Sequence, residues 1–452
     1  MPDSPVKILI ANRGEVALRI IRACRTLGLQ SIVVFSTADR ASLPVRLADE
    51  AICIGRAPSS ESYLKMDRII AAAELTGATA IHPGYGFLAE NPRFAEICHD
   101  CGINFIGPSA KAIELLGDKA AAKATMHKVG VPVIPGSAGV VHDIAEASKM
   151  AEKVGYPVIL KAAAGGGGKG MRLAMSARTL PEAFQNAAAE ARAGFGDSNL
   201  YLEKYIVSPR HVEVQVLADN HGNVVCLGER DCSLQRHHQK VVEESPCSVL
   251  PDDVRKKMNK AAVAAVQATG YVGVGTIEFL YEPSTRNFFF MEMNTRLQVE
   301  HPVTEMVCGI DLVAAQIRVA LGEPVPWKQS EIQPRGHAIE ARINAEDPTR
   351  DFAPCPGTVK FYHAPGGPGV RVDSHLYDGY VVPPYYDSLL AKVIAHGDTR
   401  ELARKRLLLA LEEFTIEGLT TNAEFVHALV SSRQFVDGDF HTGTLQELLD
   451  EV

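Results

Sequence analysis

The sequence predicts a chain of mixed α/β and α+β class. A doubly wound α/β domain comes first, a small segment carrying a mobile glycine-rich lid follows, and an α+β region ends the chain. Three observations carry this. The first ~110 residues alternate short apolar strands with amphipathic helices. Residues 156–174, YPVILKAAAGGGGKGMRLA, read as strand, glycine loop, strand. From Arg335 onward, new alternating strands lead into another amphipathic helix.

With 452 residues the chain exceeds a single core, and roughly two to four domains are expected. An apolar fraction of 46% and a charged fraction of 22% are those of a soluble globular protein. A net charge of −8 with no Lys/Arg block argues against nucleic-acid binding. No run approaches the about 18 apolar residues of a membrane helix. Met1–Pro5 lacks a basic segment followed by an apolar one, so a cytoplasmic, reducing setting is expected. The nine cysteines are scattered and form no disulfide framework. Cys98 and Cys101 make the one C-x-x-C, at the end of a helix stopped by Gly102, and read as buried or partly buried thiols.

Taken in order, 6–12 is a strand, 15–27 a helix ending at Gly28, and 31–35 the next strand, which is a βαβ unit. Further strands fall at 51–54, 78–81 and 104–106. The turn after the first strand, Asn12-Arg13-Gly14-Glu15, lacks G-x-G-x-x-G, so no dinucleotide site is expected there. His82-Pro83-Gly84-Tyr85-Gly86 reads as a ligand-facing loop or a plain tight turn. Ser109 and Asp118 are N-caps of two successive helices. Lys119 then stands in a first turn, where a cation opposes the helix dipole. It is either an ordinary surface lysine or the partner of an anion docked at that end.

Gly165, Gly167 and Gly170 match G-x-G-x-x-G, but a strand follows where a helix is required, and Lys169 is not followed by Ser or Thr. A glycine hairpin folding over phosphates as a lid fits better, with Lys161 entering it. Segments 200–206, 211–217 and 224–227 read as strands, and six polar residues, 235–240, then interrupt. His237 and His238 are read as anion or nucleotide contacts rather than metal ligands. Segment 337–344 places Glu340, Arg342 and Asn344 on one face. Asp398 and Glu401 open a helix striped by Ala403, Leu407, Ala410, Leu411 and Phe414.

The densest chemistry lies between. Strands 275–281 and 287–291 read as a hairpin turning on 283–287, after which Glu292, Asn294, Arg296, Gln298 and Glu300 alternate. A turn centred on Thr285 sets Glu278 opposite Glu292, with Asn294 next on that face, about 5 Å between neighbours. Such oxygens repel unless a cation lies between them, and they suit Mg²⁺ or Mn²⁺.

Together these residues resemble the biotin carboxylases of the ATP-grasp superfamily, from about Lys7 to Leu445. The resemblance rests on ANRGE at 11–15, HPGYGFLAEN at 82–91, the glycine loop at 165–170 and ERDCSLQRHHQK at 229–240. EMNTRLQVEHPVTE at 292–305, ARINAED at 341–347 and PPYYDS at 383–388 complete it. It implies an N-terminal domain over 1–117, an ATP-grasp domain over 118–335 with its lid at 131–204, and a C-terminal domain over 336–452.

The resemblance implies that Lys119, Lys161, Gly165, Gly166, Gly167, Gly168, Glu203, Lys204, Ile206, His211, Gln235 and His238 hold ATP, together with Glu278 and Glu292. Glu278, Glu292 and Asn294 would hold magnesium or manganese, two ions in all. Lys240, Arg296, Gln298 and Val299 would bind bicarbonate, and Glu300 would be its base. Arg342 would face the ureido group of biotin, with Tyr85 nearby.

The implied activity is ATP- and bicarbonate-dependent carboxylation of biotin through carboxyphosphate, the first half-reaction of acetyl-CoA carboxylase. No A-M-K-M sequence occurs, so biotin would arrive on a carrier protein. Carboxyltransferase subunits and a homodimer are implied as further partners. Ala164 replaces the first expected glycine, His237 a common arginine, and Ser245-Pro246-Cys247 an alanine–proline stretch. Two rival readings are an ATP-grasp ligase joining a carboxylate to an amine, and a non-catalytic nucleotide-binding protein.

Overall fold

The computed structural model describes residues 6–137, 139–162, 171–195, 198–237 and 239–450. Gly165, Gly166, Gly167, Gly168 and His238 therefore lie outside the described residues. The chain divides into two compact units: residues 1–131, 210–279 and 292–452, and residues 132–209 with 280–291.

The first unit opens with five parallel strands, β1 (Lys7–Ile10), β2 (Gln30–Ser36), β3 (Glu50–Gly55), β4 (Ala80–His82) and β5 (Asn104–Phe105). Their order is β3-β2-β1-β4-β5. Ile8 and Ile10 of β1 join one apolar cluster, while Leu9 and Ala11 join another on the opposite face. A sheet covered on both faces explains why its strands are almost wholly apolar. The winding reverses between β1 and β4, and loops at such a switch point gather ligands.

In the second unit β6 (Val158–Ala162) pairs antiparallel with β7 (Met171–Ala174) and with β8 (Leu200–Lys204). Helices Ile144–Val154 and Leu180–Phe195 supply Ala147, Ala151, Ala183 and Ala187 to a core with Val158, Leu160 and Leu202.

The second large sheet is mainly antiparallel. It contains β9 (Arg210–Ala218), β10 (Val224–Arg236), β11 (Gln239–Ser245), β12 (Gly273–Glu282), β13 (Asn287–Asn294) and β14 (His337–Asn344). The order β13-β12-β9-β10-β11-β14 continues through Leu389–Gly397 to Val370–Ser374. Strands on both sides of residue 335 thus share one sheet. They also share one apolar cluster, in which Leu234 and Val242 meet Ile339, Ala341 and Val393.

Two local readings change. The polar run 235–240 does not interrupt the sheet: β10 continues to Arg236 and β11 begins at Gln239, with Gln235 opposite Lys240. His237, at φ +48, sits in the turn. Polar residues remain in strand there because their backbone is paired and one face meets polar partners. Helix Arg400–Glu413 is capped by Thr399, whose Oγ1 accepts the Leu402 N–H at 3.2 Å, rather than by Asp398. The expected stripe Ala403, Leu407, Ala410, Leu411 and Phe414 is buried.

Candidate active site

Period two sorts the side chains of β9. Val212, Val214 and Val216 alternate with His211, Glu213 and Gln215, and all six are buried. A buried charge must be paired, and these polar residues are. Glu213 pairs with Arg230 of β10 and, through Oε2, with Lys240 of β11 at 2.6 Å. Gln215 Oε1 accepts from Arg230 at 2.7 Å.

Lys240 is the hub. Its Nζ also lies 3.0 Å from Glu278 Oε1 and 2.6 Å from Glu300 Oε1. Burial works against the ammonium, but the surrounding acids outweigh it and hold its pKa well above the ordinary value. Glu300 is fully buried, and Arg342 meets its second oxygen at 2.8 Å. Burial again opposes ionisation, and Lys240, Arg342 and Arg230 overcome it, leaving Glu300 well below the usual carboxylate range. Arg342 Nε donates to Glu243 Oε1 at 2.6 Å. Glu243 has no such surplus of cations, and burial pushes it up to about 7.

Glu278 Oε1 accepts from Asn294 Nδ2 at 2.8 Å and Gln298 Nε2 at 3.3 Å, and its Oε2 lies 3.0 Å from His211 Nε2. Burial would raise its pKa, but Lys240 and His211 hold it far below the normal range. Glu292 is half-exposed, and Lys119 Nζ approaches it at 3.7 Å. Lys119 opens helix Lys119–Lys128, capped by Asp118, whose Oδ1 accepts the N–H groups of Ala120 and Ala121. The oxygens of Glu278, Glu292 and Asn294 are hard donors, which fits a divalent ion that keeps water or phosphate ligands. Ligand atoms of His211, Glu213 and Glu278 also lie within 4.8 Å of one another, but Lys240 already neutralises that cluster.

The turn after β13 carries the remaining polar residues. Arg296 Nε donates to Glu90 Oε2 at 2.8 Å, and its other nitrogens reach Gln298 Oε1 at 3.0 Å and Asn294 Oδ1 at 3.2 Å. Val299 accepts from Lys392 Nζ through its carbonyl at 2.9 Å. On the switch-point side, Asn12 Nδ2 donates to the carbonyls of Pro83 and Tyr85, both at 2.7 Å. Gly84 has φ +64, and a Cβ there would meet that amide at 2.9 Å, so glycine is required. His82 Nδ1 accepts the Gly84 N–H at 3.0 Å, and the Tyr85 hydroxyl donates to Glu15.

Within the second unit Lys161 Nζ meets Glu203 Oε2 at 2.6 Å. Lys204 Nζ donates to the carbonyls of Gly155 and Tyr156, and Ile206 is buried.

Sequence reasoning missed Glu15, Glu90, Glu213, Arg230, Glu243 and Lys392. For Glu213, Arg230 and Lys392 a signal existed, a charged residue inside a segment that otherwise reads as a buried strand, with Arg230 set between Glu229 and Asp231. For Glu15 and Glu90 it did not, because their partners are more than fifty residues away in sequence.

Residues 4–113 match the family described as biotin carboxylase, N-terminal domain, and residues 340–447 match the biotin carboxylase C-terminal domain. Residues 118–328 match the ATP-binding domain of the carbamoyl-phosphate synthase L chain. A biotin carboxylase of Nostoc sp. is 55% identical over 442 residues, 98% of this chain and 99% of that one. A biotin carboxylase of Bacillus subtilis is 53% identical over 440 residues, 97% of this chain and 98% of that one. Among solved structures, a biotin carboxylase complex with beta-gamma-ATP from Campylobacter jejuni aligns with a TM-score of 0.90 at 48% identity, over 98% of this chain and 99% of that one. The biotin carboxylase domain dimer of Hydrogenobacter thermophilus 2-oxoglutarate carboxylase, in complex with MgADP, ADP and bicarbonate, aligns with a TM-score of 0.89 at 48% identity. The alignment covers 98% of this chain and 97% of that one.

Proposed function

Because the chain belongs to the biotin carboxylase family, we infer that it carboxylates biotin with ATP and bicarbonate, the first half-reaction of an acetyl-CoA carboxylase-type enzyme. The observation that carries this reading is the Glu300 carboxylate, buried and shared between Lys240 and Arg342.

Bicarbonate is a poor electrophile until one of its oxygens attacks the terminal phosphorus of ATP and ADP departs. Lys240, Arg296, Gln298 and Val299 would hold the anion, and Glu300, ionised and dry, would take its proton as it attacks. Carboxyphosphate then separates into CO₂ and phosphate. The phosphate removes the ureido proton of biotin, and the ureido nitrogen bonds to CO₂. Arg342, protonated at every working pH, would stabilise the negative charge that develops on the ureido oxygen, beside Tyr85.

Glu278, Glu292 and Asn294 would hold Mg²⁺ or Mn²⁺, as two ions, which neutralise charge on the terminal phosphates when bound. In the first unit Lys119, His211 and Gln235 are proposed as ATP contacts, together with Glu278, Glu292 and His238. In the second unit the proposed contacts are Lys161, Glu203, Lys204, Ile206 and the loop Gly165–Gly168. We assign residues 1–117, 118–335 and 336–452 as the functional domains, with the lid at 131–204. The partners proposed are a biotin carboxyl carrier protein, carboxyltransferase subunits and a second copy of the chain, in the cytoplasm. Among the described residues no helix is long and apolar enough to cross a membrane.

The test is ADP release with Mg²⁺, with and without free biotin and bicarbonate. Both should stimulate it. No response to either would replace this reading with that of another ATP-grasp ligase.

A further inference from the structure

Lys392 is the one Lys or Arg in the largely apolar strand Leu389–Gly397, and its side chain is fully buried. Burying an ammonium is costly unless several groups receive it. Its Nζ lies 2.9 Å from the Val299 carbonyl, 3.1 Å from Glu15 Oε1 and 3.8 Å from Asp373 Oδ2. Burial opposes its charge, while Glu15, Glu340 and Asp373 outweigh that and keep it protonated.

Two of these contacts lead to different substrates. Glu15 Oε1, the oxygen that meets Lys392, is also the acceptor of the Tyr85 hydroxyl. Tyr85 belongs to the loop after β4, pinned by Asn12 at the carbonyls on both sides of Gly84. Val299 immediately precedes Glu300 and lies in the turn that carries Arg296 and Gln298. A single ammonium therefore ties the turn read as holding bicarbonate to the tyrosine read as facing biotin. Neither tie is a surface ion pair that solvent could replace. Glu15 is buried, and among the described residues its other oxygen has no hydrogen-bond partner.

We propose that Lys392 is a positioning residue that sets the spacing between Tyr85 and the Val299–Glu300 turn, and so the distance over which the carboxyl group passes to biotin. The proposal rests on the functional reading above. It adds that bicarbonate and biotin are coupled through the protein beneath them, by the path Val299 to Lys392 to Glu15 to Tyr85. Transfer between bound species depends steeply on such spacing.

The experiment is steady-state kinetics on the full chain with MgATP, bicarbonate and free biotin as separately varied substrates. Lys392→Met keeps the unbranched side chain out to Cε and removes the ammonium. It should raise KM for bicarbonate and for biotin at least tenfold each, with KM for ATP within twofold of the wild-type value, and Lys392→Arg should recover part of both. A lower kcat for carboxybiotin formation per folded molecule, with KM for ATP unchanged, also supports the spacing role, whereas an unchanged kcat together with unchanged KM for bicarbonate and biotin would reduce Lys392 to a structural role and overturn the proposal.

Should Lys392→Met not fold, Glu15→Gln is the second variant, since it keeps an acceptor for both neighbours and removes one charge. A rise in the biotin KM, lost when Tyr85→Phe is the background, supports the path. An effect of the same size in both backgrounds overturns it. Wild-type enzyme with no ADP release in response to bicarbonate would sink the functional reading itself. Wild-type activity with indifferent variants would sink only the role of Lys392.

Discussion

Glu300 and Glu278 owe their ionisation to the cations they touch. Glu300 meets two and Glu278 meets Lys240 beside His211, and both are ionised where water would not help them. Removing the charge at Glu300 should therefore abolish the role proposed for it as base. Glu300→Gln is expected to lower bicarbonate-dependent ADP release about a hundredfold or more, and full retention would place the base elsewhere. Arg342→Ala should leave ATP binding within about twofold while slowing carboxybiotin formation by about two to three powers of ten. Isotope incorporation from labelled bicarbonate into biotin reads that second number directly. His82 behaves in the opposite sense. Burial, with Arg19 nearby, lowers its pKa from 6.5 to about 3, and its Nδ1 must stay unprotonated to accept from Gly84. Its unfolded form binds a proton first as pH falls, so its contribution is complete above 6.5 and is lost on acidification towards 3. The loss is about 1.4 kcal/mol per pH unit. His82→Asn keeps an acceptor that does not titrate, so its urea midpoint should fall less steeply between pH 7 and 5 than that of the wild type. Parallel curves would show that the loop does not sense this proton.

At the scale of elements, caps and stripes place the chemistry. Asp118 satisfies two N–H groups at the start of helix Lys119–Lys128, and Lys119 is the first residue it fixes. Asp118→Ala should cost about 1 kcal/mol by urea unfolding and raise KM for ATP, with Asp118→Ser restoring both. An unchanged KM would separate Lys119 from the nucleotide. Helix Arg400–Glu413 covers β14 and its neighbour with Leu407 fully buried in that cluster. Leu407→Ala should cost about 2–5 kcal/mol, a cavity effect, without altering any substrate KM. Much at this scale was legible beforehand. The caps at Ser109 and Asp118, the βαβ start and the stripe from Ala403 to Phe414 depend on spacings of two and 3.6, which a chain displays locally. Where the reading slipped, a partner strand was responsible: the polar residues at 235–240 stay in register because β10 and β11 pair there.

In the molecule as a whole, the large sheet spans the boundary that the strand pattern suggests near residue 335. β14 is hydrogen-bonded between β11 and Leu389–Gly397, so the C-terminal residues complete a sheet begun by the middle of the chain. A fragment ending at Arg335 would leave β11 as an open edge and uncover Leu234 and Val242. It should show no cooperative unfolding transition and should aggregate, whereas a fragment that melts sharply would mean the C-terminal strands are an independent addition. Arg342 and Lys392 both come from the strands that such a cut removes, so bicarbonate-dependent ADP release should vanish with them.

Taken alone, the order of residues determined most of the strands, helices and caps, and the motifs it carries were enough to name the polar set from Glu278 to Glu300 and Arg342. Local spacing and residue type are written along the chain. Only the folded structure decided which charges neutralise which: that Lys240 serves three acids, that Glu213 and Arg230 stand behind it, and that Lys392 joins Val299 to Glu15. Those pairings span up to several hundred residues. What selects them is the cost of leaving a charge dry and alone, and burial is a property of the assembled sheet rather than of any one segment.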